Sequence, residues 1–352
     1  MKSIQLISGS IFAGNPIVLR VTPSHVEGDK IAFHRIVINV EATLISESAV
    51  RGPLTIPMSV SLYDEDPQDI DVSSALRSVL DAYNYTPLPA SYPIVRWRVD
   101  GCDEYMQDGV LTPDYEPQSF PVPAVPGETP DYAYCIAGSV PETQRIHMST
   151  LPSVKFLSDM PASPMLFSKG AKFAYTPNLA TGISLYNSGS LSSPTSQEVT
   201  LSEVGLQSIG THSVYVLDDT EQPRTTFRFI NRYGVLESVS LPKAIETAVG
   251  FEVKEYASGS PETFNSIRHG IVRKSNDRET LSFMTDPLDE NWLLWYLHEF
   301  FLAEHVWMAD GTGSWLRCHI IPESSVKVLQ SKSAEPHTLT FNVKLDVNGN
   351  FR

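Results

Sequence analysis

Phe227-Arg228-Phe229-Ile230-Asn231-Arg232-Tyr233-Gly234-Val235 is the stretch on which the fold is decided. An aromatic strand runs into an Asn-Arg-Tyr-Gly turn, and Val235 to Leu241 returns as a second strand. Downstream, one helix is predicted from about Pro287 to Glu304, and Val306 to Ile321 and Leu339 to Val347 read as further strands. Asp286 is placed to cap that helix, Pro287 suits its first position, and Asp289 and Glu290 suit the positive end of its dipole. Leu288, Trp292, Trp295, Tyr296, Phe300 and Ala303 make a broad apolar face that Leu293, Leu297 and Phe301 widen. So much apolar circumference predicts burial on more than one side, against a sheet and either against a further subunit or within the chain's own core.

The first part of the chain is organised in a related way. From Ile36 to Leu44 apolar residues alternate with Val37, Asn39, Glu41 and Thr43, the period of a strand with one buried face. Leu54 to Tyr63 continues the pattern after the Arg51-Gly52-Pro53 break, so the two segments are expected to pair antiparallel. Val72, Ala75, Leu76, Val79, Leu80 and Tyr83 then change the period to that of an amphipathic helix, which Pro87 and Pro89 end. Ile94 to Val99, with Trp97, starts another strand.

Between these parts, Thr112 to Pro130 carries Pro113, Pro117, Pro121, Pro123, Pro126 and Pro130. Their fixed φ angles and missing donors argue for an extended arm or linker rather than an interior strand. The expected organisation is therefore residues 1–111, β-rich with one helix; 112–130, a proline-rich arm or linker; 131–222, strands and loops; and 223–352, β-rich with one aromatic helix. The fold class is mainly β, as β-sandwich or barrel-like domains, with one amphipathic helix in each of the N- and C-terminal parts.

Composition agrees. The 352 residues exceed one ordinary core, and 26 prolines with 20 glycines imply many turns. A net charge of −15 disfavours a sequence-specific nucleic-acid surface, which needs clustered Lys and Arg. No run of 18 apolar residues is present to span a membrane, and no signal peptide is read at the start. Cys102, Cys135 and Cys318 are too far apart for a metal motif and odd in number, so a reducing compartment is expected.

Catalytic and cofactor signatures fail one by one. His298-Glu299 has Leu302 where a zinc-binding helix needs its second histidine. Asp64, Glu65, Asp66, Asp69 and Asp71 are dense in carboxylate but lack a calcium-loop register. No nucleophile elbow, P-loop or dinucleotide fingerprint occurs, and Gly311-Thr312-Gly313-Ser314 reads as a hairpin turn. The expectation is a protein that is not an enzyme and takes no cofactor.

Three patches carry a resemblance. Asn15-Pro16-Ile17-Val18-Leu19-Arg20-Val21, the Phe227–Gly234 turn, and the helix with Glu299-Phe300-Phe301 running into His305-Val306-Trp307-Met308 are similar to elements of tail, baseplate and neck-type structural proteins of Bacteroidota phages and prophages. The resemblance implies a structural virion subunit, assembled in the host bacterial cytoplasm, forming a homo-oligomeric ring and docking other virion proteins. On that reading the assembly candidates are the proline-rich arm (Pro113, Pro117, Pro121, Pro123 and Pro126) and an exposed portion of the aromatic helix (Trp292, Trp295, Phe300 and Phe301). The alternative is a glycan-binding adhesin whose Trp97 and Trp307 stack on sugars.

Overall fold

The structure, a computed structural model, describes residues 3–9, 12–23, 34–46, 49–62, 66–89, 92–107, 110–113, 118–121, 132–139, 158–176, 195–210, 212–218, 223–257, 270–322 and 337–346. It is mainly β, with one helix in the N-terminal region and one in the C-terminal region among these residues. The chain divides into two compact units: Met1–Ser158 with Tyr175–Gln197 and Asn231–Leu236, and Asp159–Ala174 with Glu198–Ile230 and Glu237–Arg352. Two segments of the second half of the chain thus belong to the first unit, an interleaving that contiguous domain boundaries do not anticipate.

In the first unit, β3 (His34–Ser46) and β4 (Ala49–Leu62) form the antiparallel pair read from the alternation. The Gly52-Pro53 break does not end β4. Gly52 takes φ +120°, a value open to glycine and strained for other residues, and the ladder absorbs the irregularity as a shift between Ala42 and Leu44. The other neighbour of β3 is β6 (Ile94–Gln107), paired along Ile94–Tyr105. The second edge of β6 is covered in relay by β9 (Ala133–Ile136), β8 (Gln118–Phe120) and β7 (Val110–Pro113).

A smaller sheet orders β1 (Ser3–Ser8), β2 (Val18–Thr22) and β5 (Gln68–Asp71), and helix α1 (Ser73–Asp81) follows β5 directly. Leu76, Val79 and Leu80 of α1 and Leu19 and Val21 of β2 share one buried cluster with Ile36, Ile38 and Val40 of β3 and Trp97 and Val99 of β6. The apolar phases of α1, β2, β3 and β6 therefore point into a single core. Asp71 ties the pieces: its Oδ1 accepts from the Ile17 amide at 3.1 Å and from the Ser73 amide at 2.9 Å.

The tetrapeptide turn belongs to this unit. Asn231 Oδ1 accepts from the amides of Tyr233 (3.0 Å) and Val235 (3.2 Å), an Asx arrangement that closes the loop without sheet partners. Gly234 lies at φ +77°, and a Cβ there would stand 2.6 Å from the Ala137 carbonyl oxygen. Tyr92, almost fully buried, uses one hydroxyl to meet Thr176 Oγ1 (2.6 Å) and Ser196 Oγ (2.7 Å) and to accept from the Leu236 amide (2.8 Å).

The second unit is built on a seven-stranded sheet. Its order is β16 (Leu236–Pro242), β15 (Arg224–Ile230), β19 (Val306–Ala309), β20 (Trp315–Pro322), β21 (Thr340–Leu345), β18 (Gly270–Met284) and β17 (Glu246–Ala257). A shorter set joins β10 (Met165–Ser168) parallel to β14 (His212–Leu217), which also pairs with β13 (Gly205–Ile209). β11 (Lys172–Tyr175) pairs with β12 (Gln197–Thr200). One side of β15 presents Phe227 and Phe229 to the C-terminal helix; the other presents Arg228, whose guanidinium lies 3.9 Å from the ring centroid of Trp315 and hydrogen-bonds Glu198.

The C-terminal helix begins later than the sequence predicts. Helix α2 (Glu290–Trp295) is capped by Asp289, whose Oδ1 accepts from the Trp292 amide at 2.9 Å. Asp286 is drawn instead to the buried Arg224, whose guanidinium also donates to the Ser240 carbonyl at 2.9 Å. A buried guanidinium needs a carboxylate partner more than a helix end needs a second cap. From Tyr296 to Phe300 the helix widens to a π turn, with the Phe301 amide bonded to the Tyr296 carbonyl at 2.9 Å. The extra residue in the turn brings both Phe300 and Phe301 inward and leaves Leu302 exposed.

Candidate assembly site

Trp292, Trp295, Phe300 and Phe301 retain only 8%, 3%, 0% and 7% of their exposure. The expected exposed portion of the helix is therefore not made of these residues; within the second unit they are core. Phe300 stands 5.8 Å from Phe227, 5.3 Å from Phe229 and 5.9 Å from Phe341, all near edge-to-face, and Trp295 meets Phe229 at 5.6 Å. Trp292 donates its indole N–H to Ser163 Oγ at 2.8 Å. The large apolar residues exposed here are Leu294 on the helix and Leu302 just after it.

The described residues of the proline-rich segment, 112–113 and 118–121, are held against β6 rather than standing free. Pro113 ends β7 and is exposed, but Pro121 follows β8 directly and is buried. Phe120 of β8 lies against Trp97, ring centroids 5.7 Å apart, and Ser119 Oγ bonds Asp100 Oδ1 at 2.6 Å. Proline flanks the three-residue strand without sitting among its paired residues, which is how a segment barred from regular strand still contributes one. Pro117, Pro123 and Pro126 lie outside the described residues.

Of the chemical candidates, Asp69, Asp71, Cys135 and Cys318 are engaged within the fold. Asp69 forms a forked pair with Arg20, both contacts at 2.8 Å, and the hydrogen bond with the Arg20 charge lowers its pKa despite the opposing cost of partial desolvation. Burial raises the Cys135 thiol, and burial reinforced by Asp346 pushes Cys318 up to about 12, so neither is a thiolate nucleophile at neutral pH. Among the described residues, no group of three or more His, Cys, Asp or Glu side chains is gathered as a metal site. Trp97 and Trp307 are buried, so neither is a platform on which a sugar ring can stack.

Two strand features stand out instead, and both are legible in backbone pairing. β17 and β18 pair from Glu246↔Ser282 to Ala257↔Gly270, whereas β21 flanks β18 only over Thr280–Met284. About ten residues of β18, roughly 33 Å at about 3.3 Å per residue, thus continue as a two-stranded ribbon beyond the sheet. Among the described residues that ribbon has no third strand. At the edge of the first unit, β4 runs for 14 residues with β3 as its neighbour in the sheet order.

No helix among the described residues is long and apolar enough to cross a membrane. The chain matches no protein-family model, no curated protein and no solved structure.

Proposed function

We propose that this chain is a structural subunit of a phage tail, baseplate or neck, working by self-assembly and partner docking and not by catalysis. The observation that supports this most is the β17–β18 ribbon. A two-stranded hairpin is at best marginally stable in water without a third strand or a packed face. A ribbon that outruns its sheet over about ten residues is therefore suited to gain its missing partner from another subunit, by adding strands to or receiving strands from a neighbour. On this reading the chain occupies a virion ring and reaches it after folding in the host bacterial cytoplasm.

The proposal assigns assembly to strand edges rather than to the aromatic helix. The adhesin alternative loses support because both of its named aromatics are buried. The test is to replace residues 250–278 by a short glycine-containing turn and compare the mass of the two proteins. The shortened protein should remain folded, since β21 pairs β18 outside the deleted stretch, and should no longer form the rings that the unshortened chain forms. Rings of unchanged symmetry in the shortened protein would refute the role given to the ribbon.

A further inference from the structure

We propose that the open edge of β4 is a homotypic docking surface, in which the window Thr55–Ser61 pairs antiparallel with the same window of a second copy about a two-fold axis at Met58. The inference rests on the self-assembly reading and names a partner surface for it.

Alternation along this window separates two rows. Ile56, Met58 and Val60 are half-buried against the first unit's core, and Thr55, Pro57, Ser59 and Ser61 are exposed on the opposite face. In antiparallel sheet, residues also alternate between bonding one neighbour and the other. Proline in an edge strand is tolerated where its missing donor faces outward, so the main chain of Pro57 is aimed at the open edge. By the same alternation, Thr55, Ser59 and Ser61 direct their N–H and C=O groups there, free to bond an added strand.

The nature of that strand follows from charge and from the apolar row. The chain carries a net charge of −15, so association between copies is opposed over most of its surface. From Gly52 to Leu62 there is no ionisable side chain, and two copies of this edge meet without like-charge contact. Ile56, Met58 and Val60 remain partly exposed because no strand lies beyond β4 among the described residues. A second β4 brings the same row in reverse order: Ile56 opposite Val60 of the second copy, and Met58 opposite its own equivalent. Thr55 then faces Ser61, and Pro57 faces Ser59, so that about six main-chain hydrogen bonds form, fewer than the full ladder only by the donors that Pro57 lacks. Pro53 and Pro57 make the edge unsuited to arbitrary strands and confine pairing to this register.

Disulfide trapping tests the register. Met58→Cys places two thiols across the axis at a Cα separation of about 4.5 Å, inside the range a disulfide spans, whereas Ser61→Cys leaves its copies about 20 Å apart. Oxidation with copper–phenanthroline at micromolar protein should give a covalent Met58→Cys dimer about tenfold faster than a Ser61→Cys dimer, with the native thiols of the unchanged chain as background. The double variant Thr55→Cys/Ser61→Cys, at exposed positions that spare the core, should link as fast as Met58→Cys. Equal, slow linking of all three overturns the proposal. If the chain still forms rings in that case, the self-assembly reading survives and only the β4 register falls; if rings are absent as well, both fall.

Discussion

Phe300→Ala separates a core role for the C-terminal helix from an assembly role. The ring is fully buried and lies within 6.0 Å, centroid to centroid, of Phe227, Phe229, Tyr296, Phe301 and Phe341. Truncating a buried phenylalanine costs about 3–5 kcal/mol, from lost transfer energy and from the cavity left behind. Aromatic pairs of this kind add about 0.5–1.5 kcal/mol each beyond area, and neighbours on a helix, strands and a π turn have little freedom to collapse into the space. The upper part of the range is therefore expected, about 4–5 kcal/mol. For a unit of this size that corresponds to a fall in Tm of roughly 8–20 °C. Denaturant unfolding followed by tryptophan fluorescence is the assay, because Trp292, Trp295, Trp307 and Trp315 all lie in the second unit and only Trp97 lies in the first. A loss below about 1 kcal/mol, with an altered oligomer instead, would refute the assignment of this ring to the core.

Tyr92→Phe deletes a hydroxyl that serves three partners and leaves the Leu236 amide without the acceptor it has, so a loss of about 1–3 kcal/mol and faster hydrogen exchange at Leu236 are expected; unchanged exchange would contradict the role. Glu198→Gln removes the carboxylate that pairs with the buried Arg228, and a cost of about 1–2 kcal/mol is expected at pH 7 because Glu198 is partly exposed. Burial alone raises the Glu198 pKa, but the Arg228 hydrogen bond and the charges of Arg228 and Lys172 lower it overall. A depressed pKa contributes stability above the ordinary glutamate value that is lost as pH falls through the folded-state value. Urea midpoints of the two proteins should therefore converge as pH drops below about 4, and a gap independent of pH would contradict the linkage. Phe120→Ala, within the proline-rich stretch, should cost about 3–4 kcal/mol by uncovering Trp97, where a free arm predicts no effect on the thermal midpoint.

Sequence is most informative where one local period governs one element. The alternation from Ile36 to Leu62 foretells β3 and β4 because each has one face on a core, and α1 is legible because Ala75, Leu76, Val79 and Leu80 share a stripe. The Asn231–Gly234 turn is readable because its geometry is closed by its own residues, an Asn side chain and a positive-φ Gly. Features that depend on distant partners are not. Asp286 and Asp289 are both suitable caps until Arg224, 62 residues away, claims the first. The strand Gln118–Phe120 has no period of its own and exists because β6 offers an edge. The β17–β18 ribbon escapes sequence reading for a related reason. Glu252, Lys254, Glu255, Arg273, Lys274, Asp277 and Arg278 dilute its alternation, so the sequence carries no clean period there. The aromatic helix is located by its period but its exposure is not, since a wide apolar face is equally consistent with one deep core, which the π turn at Tyr296–Phe300 supplies.

Self-assembly through strand edges is tested most directly by the mass of the purified 352-residue chain across a concentration series. Light scattering with negative-stain imaging should show mass rising with concentration to a defined multiple of 39.0 kDa, with rings or stacked discs in the images. A strict monomer at every concentration, with neither rings nor discs, would contradict it.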